Sequence, residues 1–438
     1  MNHTERREGN IMRNCDILIA GGGLAGTVAA IAAARRGHDV LLIEASNCLG
    51  GAACTCLVNP FMPYTTEDDA GGTVFLSAGI FAEIVDRLND LTRTFDGEDS
   101  AALGVPAATF SEEYLKILLN RMASESGVRL LFHTQVVSAT REQNRLTSVV
   151  ISNIDGLTEV SAKYYIDCTG DAVLSAASGF PTRLGRPGDS LCQPMTLCFR
   201  VGGIDRETFR RNYHLMQDKY KSLRAAGEIK NPRENVLLFS TLLESVVHFN
   251  TTRIVKRNPV NADDVTAAEI EAREQVAEML LFLRRHVPGC EHAVLLSTAM
   301  EIGKRESRMI DGEYLLTQED LLAFKHFDDG IAACNYDIDI HNPEGSGTSH
   351  HYFPKGKYYT IPYRCLIPKA SDNLLTAGRC ISVTHEAQAS CRIMPTVATL
   401  GQAAGTAAAL ALEEDCSVRD LDTELLRGVL SDAGAFLG

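Results

Sequence analysis

With 438 residues the chain is long enough to bury a large core and to divide into two or three domains, which excludes a single small module. Its 56 acidic against 42 basic residues give a formal charge of −14, leaving no basic footprint for nucleic acid or an anionic membrane surface. No apolar run reaches the roughly 20 residues of a membrane span, and the first 14 residues are polar, without the apolar core of a secretory signal, so a cytoplasmic protein is expected.

The chain opens on Cys15-Asp-Ile-Leu-Ile-Ala-Gly-Gly-Gly-Leu-Ala-Gly-Thr. The apolar run Ile17, Leu18, Ile19 predicts a central parallel strand, and Gly21, Gly23 and Gly26 supply a tight turn, close approach to a pyrophosphate and packing of the next helix. Residues 27 to 36 predict that helix, whose N-terminus offers free N–H groups and a positive dipole end. Glu44 ends the next apolar run, Val40-Leu-Leu-Ile, 18 residues after Gly26. A carboxylate there accepts both ribose hydroxyls and repels a 2′-phosphate, which disfavours NADP. The glycine turn, the strand before it, the helix after it and the spaced acid together predict a bound dinucleotide and a redox enzyme.

Asn47-Cys-Leu-Gly-Gly-Ala follows, and its paired Gly50 and Gly51 permit a second close backbone approach to a ligand. Cys54 and Cys56 make only a C-x-C pair, and the 13 cysteines are odd in number and scattered through apolar segments. Buried free thiols in a reducing compartment are therefore expected, with no metal site. Helical spacing follows at residues 77 to 91 and 111 to 125. From Val128 to Val160 the pattern becomes β and is read as a small antiparallel meander. It leads into Lys163-Tyr-Tyr-Ile-Asp-Cys, a strand ending in the loop Thr169, Gly170, Asp171. Residues 186 to 364 change character. Mixed-charge helical stretches (206 to 228, 264 to 286) sit among strands such as Met195-Thr-Leu-Cys-Phe-Arg-Val and Tyr358-Tyr-Thr-Ile-Pro-Tyr. A parallel-strand pattern returns at Asn373-Leu-Leu-Thr-Ala-Gly-Arg, before an Ala/Gly-faced helix around Ala398-Thr-Leu-Gly-Gln-Ala-Ala-Gly. The expected architecture is α/β, with a discontinuous Rossmann-like domain (14–185 and 365–425) and an inserted α+β substrate or cap domain (186–364).

Taken together, Gly21-Gly-Gly-Leu-Ala-Gly, Glu44, Gly50-Gly51, Thr169-Gly-Asp, Ala377-Gly-Arg-Cys-Ile-Ser, Met394-Pro-Thr and Gly401-Gln-Ala-Ala-Gly resemble FAD-dependent oxidoreductases of the glutathione-reductase structural type. More narrowly, the chain is similar to FAD oxidoreductases distantly related to fumarate reductase and succinate dehydrogenase flavoproteins. Arg305-Glu-Ser-Arg-Met-Ile-Asp-Gly-Glu-Tyr and His385-Glu-Ala are also similar to stretches of that family, and the likeness is weakest over 205 to 290. The resemblance implies noncovalent FAD, since no counterpart of a tethering histidine is present, and no separate NAD(P)H domain. It implies a diphosphate on Gly21, Gly23, Leu24, Ala25 and Gly26, a ribose on Glu44 beside Ala45, and adenine against the backbone of Val136 or Val137. The ring end is implied near Gly50, Gly51, Thr169, Gly170, Asp171, Gly378, Arg379, Pro395 and Thr396, with Gly401, Gln402 and Ala403 behind it.

A flavin that accepts hydride develops negative charge near N1 and the C2 carbonyl, and Pro395 suits the first turn of a helix whose N–H groups face that carbonyl. The alternative is a Pro-started packing helix. Arg305 and Arg308, on an expected helix or turn, offer one guanidinium to a substrate carboxylate while the other pairs with Glu301 or Glu306; an ion-pair cluster is the alternative. His350 and His351 follow the run Glu344-Gly-Ser-Gly-Thr-Ser, read as a mobile cap, and either is an acid or base near neutral pH or a loop histidine without a role. His385 and Arg392 flank the loop before the Pro395 helix and lead the catalytic candidates, followed by Arg305 and His351. The leading expectation is an enzyme exchanging hydride between FAD and a small anionic organic substrate. The others are a flavin-dependent enzyme modifying a larger acceptor, which the negative charge opposes for nucleic acid, and a non-catalytic electron-relay flavoprotein. No motif identifies the electron acceptor or an oligomeric state.

Overall fold

The computed structural model describes residues 13–68, 70–97 and 109–438, so most of the polar leader lies outside the described residues. The central sheet has seven strands. In chain order these are β1 (Arg13–Ala20), β2 (Val40–Ile43), β3 (Arg129–Leu131), β4 (Gln135–Glu142), β5 (Arg145–Asn153), β6 (Gly156–Asp167) and β7 (Leu374–Thr376). Apolar runs that are buried on both faces take the centre: β1 lies between β2 and β6, parallel to both, with Ile19 opposite Leu42 and Ile166.

β6 changes partners along its length. Its first residues, mostly exposed or half-buried, pair antiparallel with β5, while the part from Val160 onward, whose last four residues are all buried, joins β1 and, on the other side, β7. The Val128–Val160 stretch is thus only partly the expected meander: β4, β5 and β6 are antiparallel, but β3 runs parallel to β2. The apolar pair Leu130-Leu131 is too short for periodicity to reveal which neighbour it will take.

Four helices matter for the site: α1 (Leu24–Ala34), α2 (Ile80–Asp96), α3 (Glu112–Glu125) and α4 (Met394–Glu413). Every residue of α1 is buried, which an Ala-rich helix without charges permits. A Cβ on Gly401 would lie 2.1 Å from Ala25 O, and one on Gly405 would lie 2.1 Å from Ala29 O, so α1 and α4 touch backbone to backbone. Both contacts advance by one turn in the same direction, which makes the two helices run the same way.

Between residues 186 and 364 the chain forms a four-stranded antiparallel sheet of Leu238–Ser240, Val247–Phe249, Phe199–Gly202 and Val294–Thr298. The expected helical stretches appear as Arg206–Arg211, Tyr213–Ala225 and Ala262–His286. A second core joins this sheet to its helices, with Phe199 stacked on Phe249 at 5.0 Å and Met216, Tyr220, Met279 and Phe282 around them. All 13 cysteines are free and all but Cys416 are buried, as their apolar settings indicated. Among the described residues no helix is long and apolar enough to cross a membrane.

Candidate cofactor cleft and active site

The glycine turn is built to bring backbone to backbone. Gly21 has φ +97°, and a Cβ there would lie 2.5 Å from Cys168 O. Gly23 caps α1 without a side-chain bond, and no acidic residue occupies the first turn, so the helix N-terminus keeps its free N–H groups and positive end for a ligand. Gly50 N–H donates to Gly22 O at 2.8 Å, and a Cβ on Gly51 would lie 2.8 Å from Gly23 Cα. The two glycine pairs far apart in sequence are therefore one surface. Glu44 completes it: Oε2 accepts Gly22 N–H at 2.5 Å and Oε1 accepts Ser46 N–H at 2.7 Å, fixing the carboxylate beside the turn. Ala45 next to it is exposed. Thr134 N–H donates to Glu44 O, which brings in the start of β4, with Val136 half-buried and Val137 exposed. An uncapped buried helix end, open space where Gly23 has no Cβ neighbour closer than 3.9 Å, and an anchored carboxylate together fit a dinucleotide.

At the far end of β6, Asp167 is fully buried and accepts from the N–H and hydroxyl of both Thr169 and Ser175, which shapes the loop. Asp171 then receives Arg379 Nη2 at 2.5 Å, Lys304 Nζ at 2.6 Å and Ser307 Oγ at 2.7 Å. Burial alone would push its pKa up, but Arg379 and Lys304 overcome this and hold it down at about 2. Arg379 also donates to Gly170 O, and Gly378, at φ +100°, lies 3.4 Å from Ala25 at the start of α1 in Cβ terms.

The α4 N-terminus is likewise uncapped by a side chain and free of acids, with Pro395 in its first turn ahead of Thr396. Because Gly401 faces Ala25, α4 begins six residues, about 9 Å at 1.5 Å per residue, beyond the start of α1. Two positive helix ends thus point the same way, staggered by that distance. Gly401 itself sits in the α1–α4 contact, Ala403 is buried, and Gln402 Oε1 accepts Ile80 N–H at 2.9 Å at the head of α2.

His385 begins the helix His385–Cys391 and is 4% exposed. Its Nδ1 lies 2.8 Å from Glu306 Oε1, and Glu306, fully buried, accepts Gln193 N–H at 2.9 Å through its other oxygen. With Nδ1–H committed to a carboxylate, Nε2 is the ring atom left for proton exchange. His385 also lines a cavity of about 440 Å³ with Glu386, Arg186, Ile340, Asn342 and Thr348. Arg392 caps the same helix, its N–H donating to Gln388 O, and its Nη2 donates to Asp339 O at 3.4 Å.

Arg305 departs from expectation. Residues 305 to 308 do not form a helix: the chain is extended into the strand Arg308–Ile310, paired with Thr182–Leu184. Side chains three apart therefore diverge, and neither arginine pairs with Glu301 or Glu306. Arg305 donates to Pro194 O (2.8 Å), Thr196 Oγ (2.5 Å) and Asn250 Oδ1 (3.3 Å), while Arg308 Nε donates to Asp171 O. Burial, then the nearby Arg392 charge, pushes Arg305 down to about 9.

The expected mobile cap is also corrected. Ile338–His341 and Thr348–His351 form a hairpin whose loop is pinned by Arg253 Nη1, donating to Gly345 O at 3.1 Å and Gly347 O at 2.8 Å. His350 faces Asp339 at 3.1 Å, and His351 is exposed at the end of the same strand, its ring 6.0 Å from that of Phe353. Lys304 and Ser307 escaped assignment, and Glu306 was expected only beside an arginine, because each meets its partner across the fold, Glu306 across 79 residues.

Among solved structures the chain is similar to a geranylgeranyl bacteriochlorophyll reductase-like protein from Thermoplasma acidophilum, at 10% identity over 96% of this chain and 92% of that one, TM-score 0.45. It is similar to p-nitrophenol 4-monooxygenase from Pseudomonas putida at 9% identity over 97% and 87%, TM-score 0.47. It is also similar to L-proline dehydrogenase from P. horikoshii at 12% identity over 95% and 97%, TM-score 0.44. The family model of FAD dependent oxidoreductases matches residues 16–430, so the chain belongs to that family and is an oxidoreductase that uses FAD.

Proposed function

We propose that this enzyme exchanges hydride between noncovalently held FAD and a small anionic organic substrate. The fold would be of the glutathione-reductase type, with residues 14–185 and 365–425 forming a discontinuous cofactor domain and 186–364 an inserted α+β cap. The observation that carries the reading is the buried His385–Glu306 pair on a cavity wall, on the same short helix as Arg392, whose guanidinium has no carboxylate within ion-pair distance among the described residues, in a chain with two uncapped helix ends that point the same way.

Gly21, Gly23, Leu24, Ala25 and Gly26 would hold the diphosphate, Glu44 the ribose, and Val136 or Val137 the adenine. Gly50, Gly51, Asp171, Gly378, Arg379, Pro395 and Thr396 would hold the ring end. When bound, FAD supplies a two-electron acceptor or donor. The chain's own part is proton handling and binding. Removing hydride from a carbon that bears O–H or N–H requires a base for the second proton, and adding it to an activated double bond requires an acid. His385 Nε2 serves either direction, with Glu306 fixing the tautomer and stabilising the imidazolium. Arg392 and Arg305 hold the acid group of the substrate.

The test is anaerobic bleaching of the yellow protein by a panel of small organic acids. In His385→Ala the FAD absorbance should stay, while the reduction rate constant falls roughly 10²- to 10⁴-fold, the usual worth of a positioned acid or base. An unaltered rate constant removes His385 from the mechanism.

A further inference from the structure

We infer that Gln388, with Gln193 as its partner, is a positioning residue that fixes His385 against Glu306. The inference rests on the role proposed for His385 above. Gln388 lies three residues beyond His385 on the helix His385–Cys391, so the two side chains are neighbours on its surface. Gln388 and Gln193 are both buried, at 0% and 1% exposure, as are His385 at 4% and Glu306 at 0%.

The four side chains close a ring. Gln193 N–H donates to Glu306 Oε2 at 2.9 Å, and the Glu306 carboxylate meets His385 Nδ1 at 2.8 Å. Gln193 Nε2 donates to Gln388 Oε1 at 3.3 Å, and the helix carries the path from Gln388 back to His385. Two further bonds tie the ring to its surroundings: Gln388 Nε2 donates to Arg305 O at 2.8 Å, and Gln193 Oε1 accepts His341 N–H at 3.3 Å. The ring thus joins the His385 helix, the chain leading into the strand Arg308–Ile310, and the hairpin whose Ile340 and Thr348 line the His385 cavity.

Backbone groups decide which way each amide points. A carbonyl only accepts, so the atom facing Arg305 O is nitrogen; an N–H only donates, so the atom facing His341 N–H is oxygen. Each amide then presents its remaining atom to the other, nitrogen against oxygen, and neither can flip without setting like against like. Burying two amides costs free energy that methionines of similar volume would not. What the amides add is orientation, because a buried network with every member satisfied holds one arrangement. His385 needs such an arrangement: Glu306 must stay at Nδ1 for Nε2 to keep its lone pair free for proton exchange. Gln388 acts on that pair from two sides, through the helix it shares with His385 and through Gln193, whose N–H is the second donor to the carboxylate.

The experiment uses the FAD-loaded protein with isotope-labelled histidine, and Gln388→Met as the variant. Ring nitrogen chemical shifts, assigned by the signal that His385→Ala removes, report the His385 tautomer. Titrated to alkaline pH, the unaltered protein should end in one tautomer with the proton on Nδ1, and Gln388→Met in a mixture of both, with the flavin spectrum unchanged. The same end point in both proteins overturns the inference. The second readout is the rate constant of anaerobic flavin reduction by the fastest-bleaching member of the acid panel. Gln388→Met should lower it about 10- to 100-fold, the effect of a misplaced catalytic group, and should lower it no further in a His385→Ala background. An unchanged rate constant, or a loss that adds in full to that of His385→Ala, makes Gln388 a packing residue and overturns the inference. Gln193→Met breaks the same amide pair from the other side; it covers a Gln388→Met protein that fails to fold and should give the same mixture of tautomers. If the tautomers mix in the variant but no small acid bleaches the flavin, the hydride-exchange reading fails and the ring stands. If small acids bleach it and the variant keeps its tautomer and its rate, the inference fails alone.

Discussion

Glu44 is the residue whose job is most nearly set by its neighbours in sequence. It closes an apolar strand, and in the fold its carboxylate is steadied by the N–H groups of Gly22 and Ser46 while remaining half-buried at the cleft. Glu44→Ala should weaken FAD binding by roughly 1.5 to 3 kcal/mol, the range for hydrogen bonds to a charged acceptor. Flavin fluorescence titration of the apoprotein measures this, and an unchanged Kd would count against the ribose assignment. His385 was legible in the same way, from its place before the Pro395 helix. Its partner Glu306 was not, since nothing local distinguishes a carboxylate that pairs with a histidine 79 residues away from one that pairs with its own neighbour. The partners expected for Arg305 and Arg308 are wrong, because the (i, i+3) argument holds only on a helix and the chain there runs extended into a strand.

At the scale of elements, the Ala/Gly face of α4 announced a close approach, and the approaching surface turns out to be the backbone of α1. Two opposed effects meet at Gly405. Alanine would gain about 1 kcal/mol of helix propensity, but its Cβ would sit 2.1 Å from Ala29 O, a backbone atom that cannot swing aside. The clash should win, and Gly405→Ala should lose about 1 to 3 kcal/mol as an overpacked contact. Gly428, in the helix Thr423–Asp432, has nothing within 4 Å of its would-be Cβ. Gly428→Ala should therefore gain about 0.5 to 1 kcal/mol. Urea midpoints of the two variants should move in opposite directions, and a shift of the same sign would undo the account of the α1–α4 contact. The misassigned β3 teaches the converse lesson: a two-residue apolar core has no period to read.

At the scale of the whole molecule, a charged clasp ties the antiparallel sheet between residues 199 and 298 to α3. Both nitrogens of the Arg200 fork reach the Glu112 carboxylate at the head of α3, each at 2.5 Å, with side-chain exposures of 20% and 7%. Glu112→Gln leaves a largely buried guanidinium without its charge partner and should destabilise the protein by about 3 kcal/mol. The double variant Arg200→Met with Glu112→Leu should recover most of that loss, because a desolvated pair is worth little more than apolar groups of its own size. Chemical denaturation of the single and double variants decides this; a double variant as weak as the single one would show that the pair contributes more than it costs to bury.

The proposed cofactor end of this enzyme follows from local order, because a strand, three glycines, a helix and a spaced acid are neighbours in the chain and short-range sterics dictate their shape. The parallel strands β1, β2, β6 and β7 and the Pro395 helix were legible for the same reason, each being long or apolar enough to carry its own signal. The proposed reacting end belongs to the folded molecule alone. Glu306 beside His385, Lys304 and Arg379 on Asp171, and the pinned hairpin loop all join residues brought together by packing. Their energies depend on burial and on the charges arriving from other elements, and neither quantity exists until the core has closed.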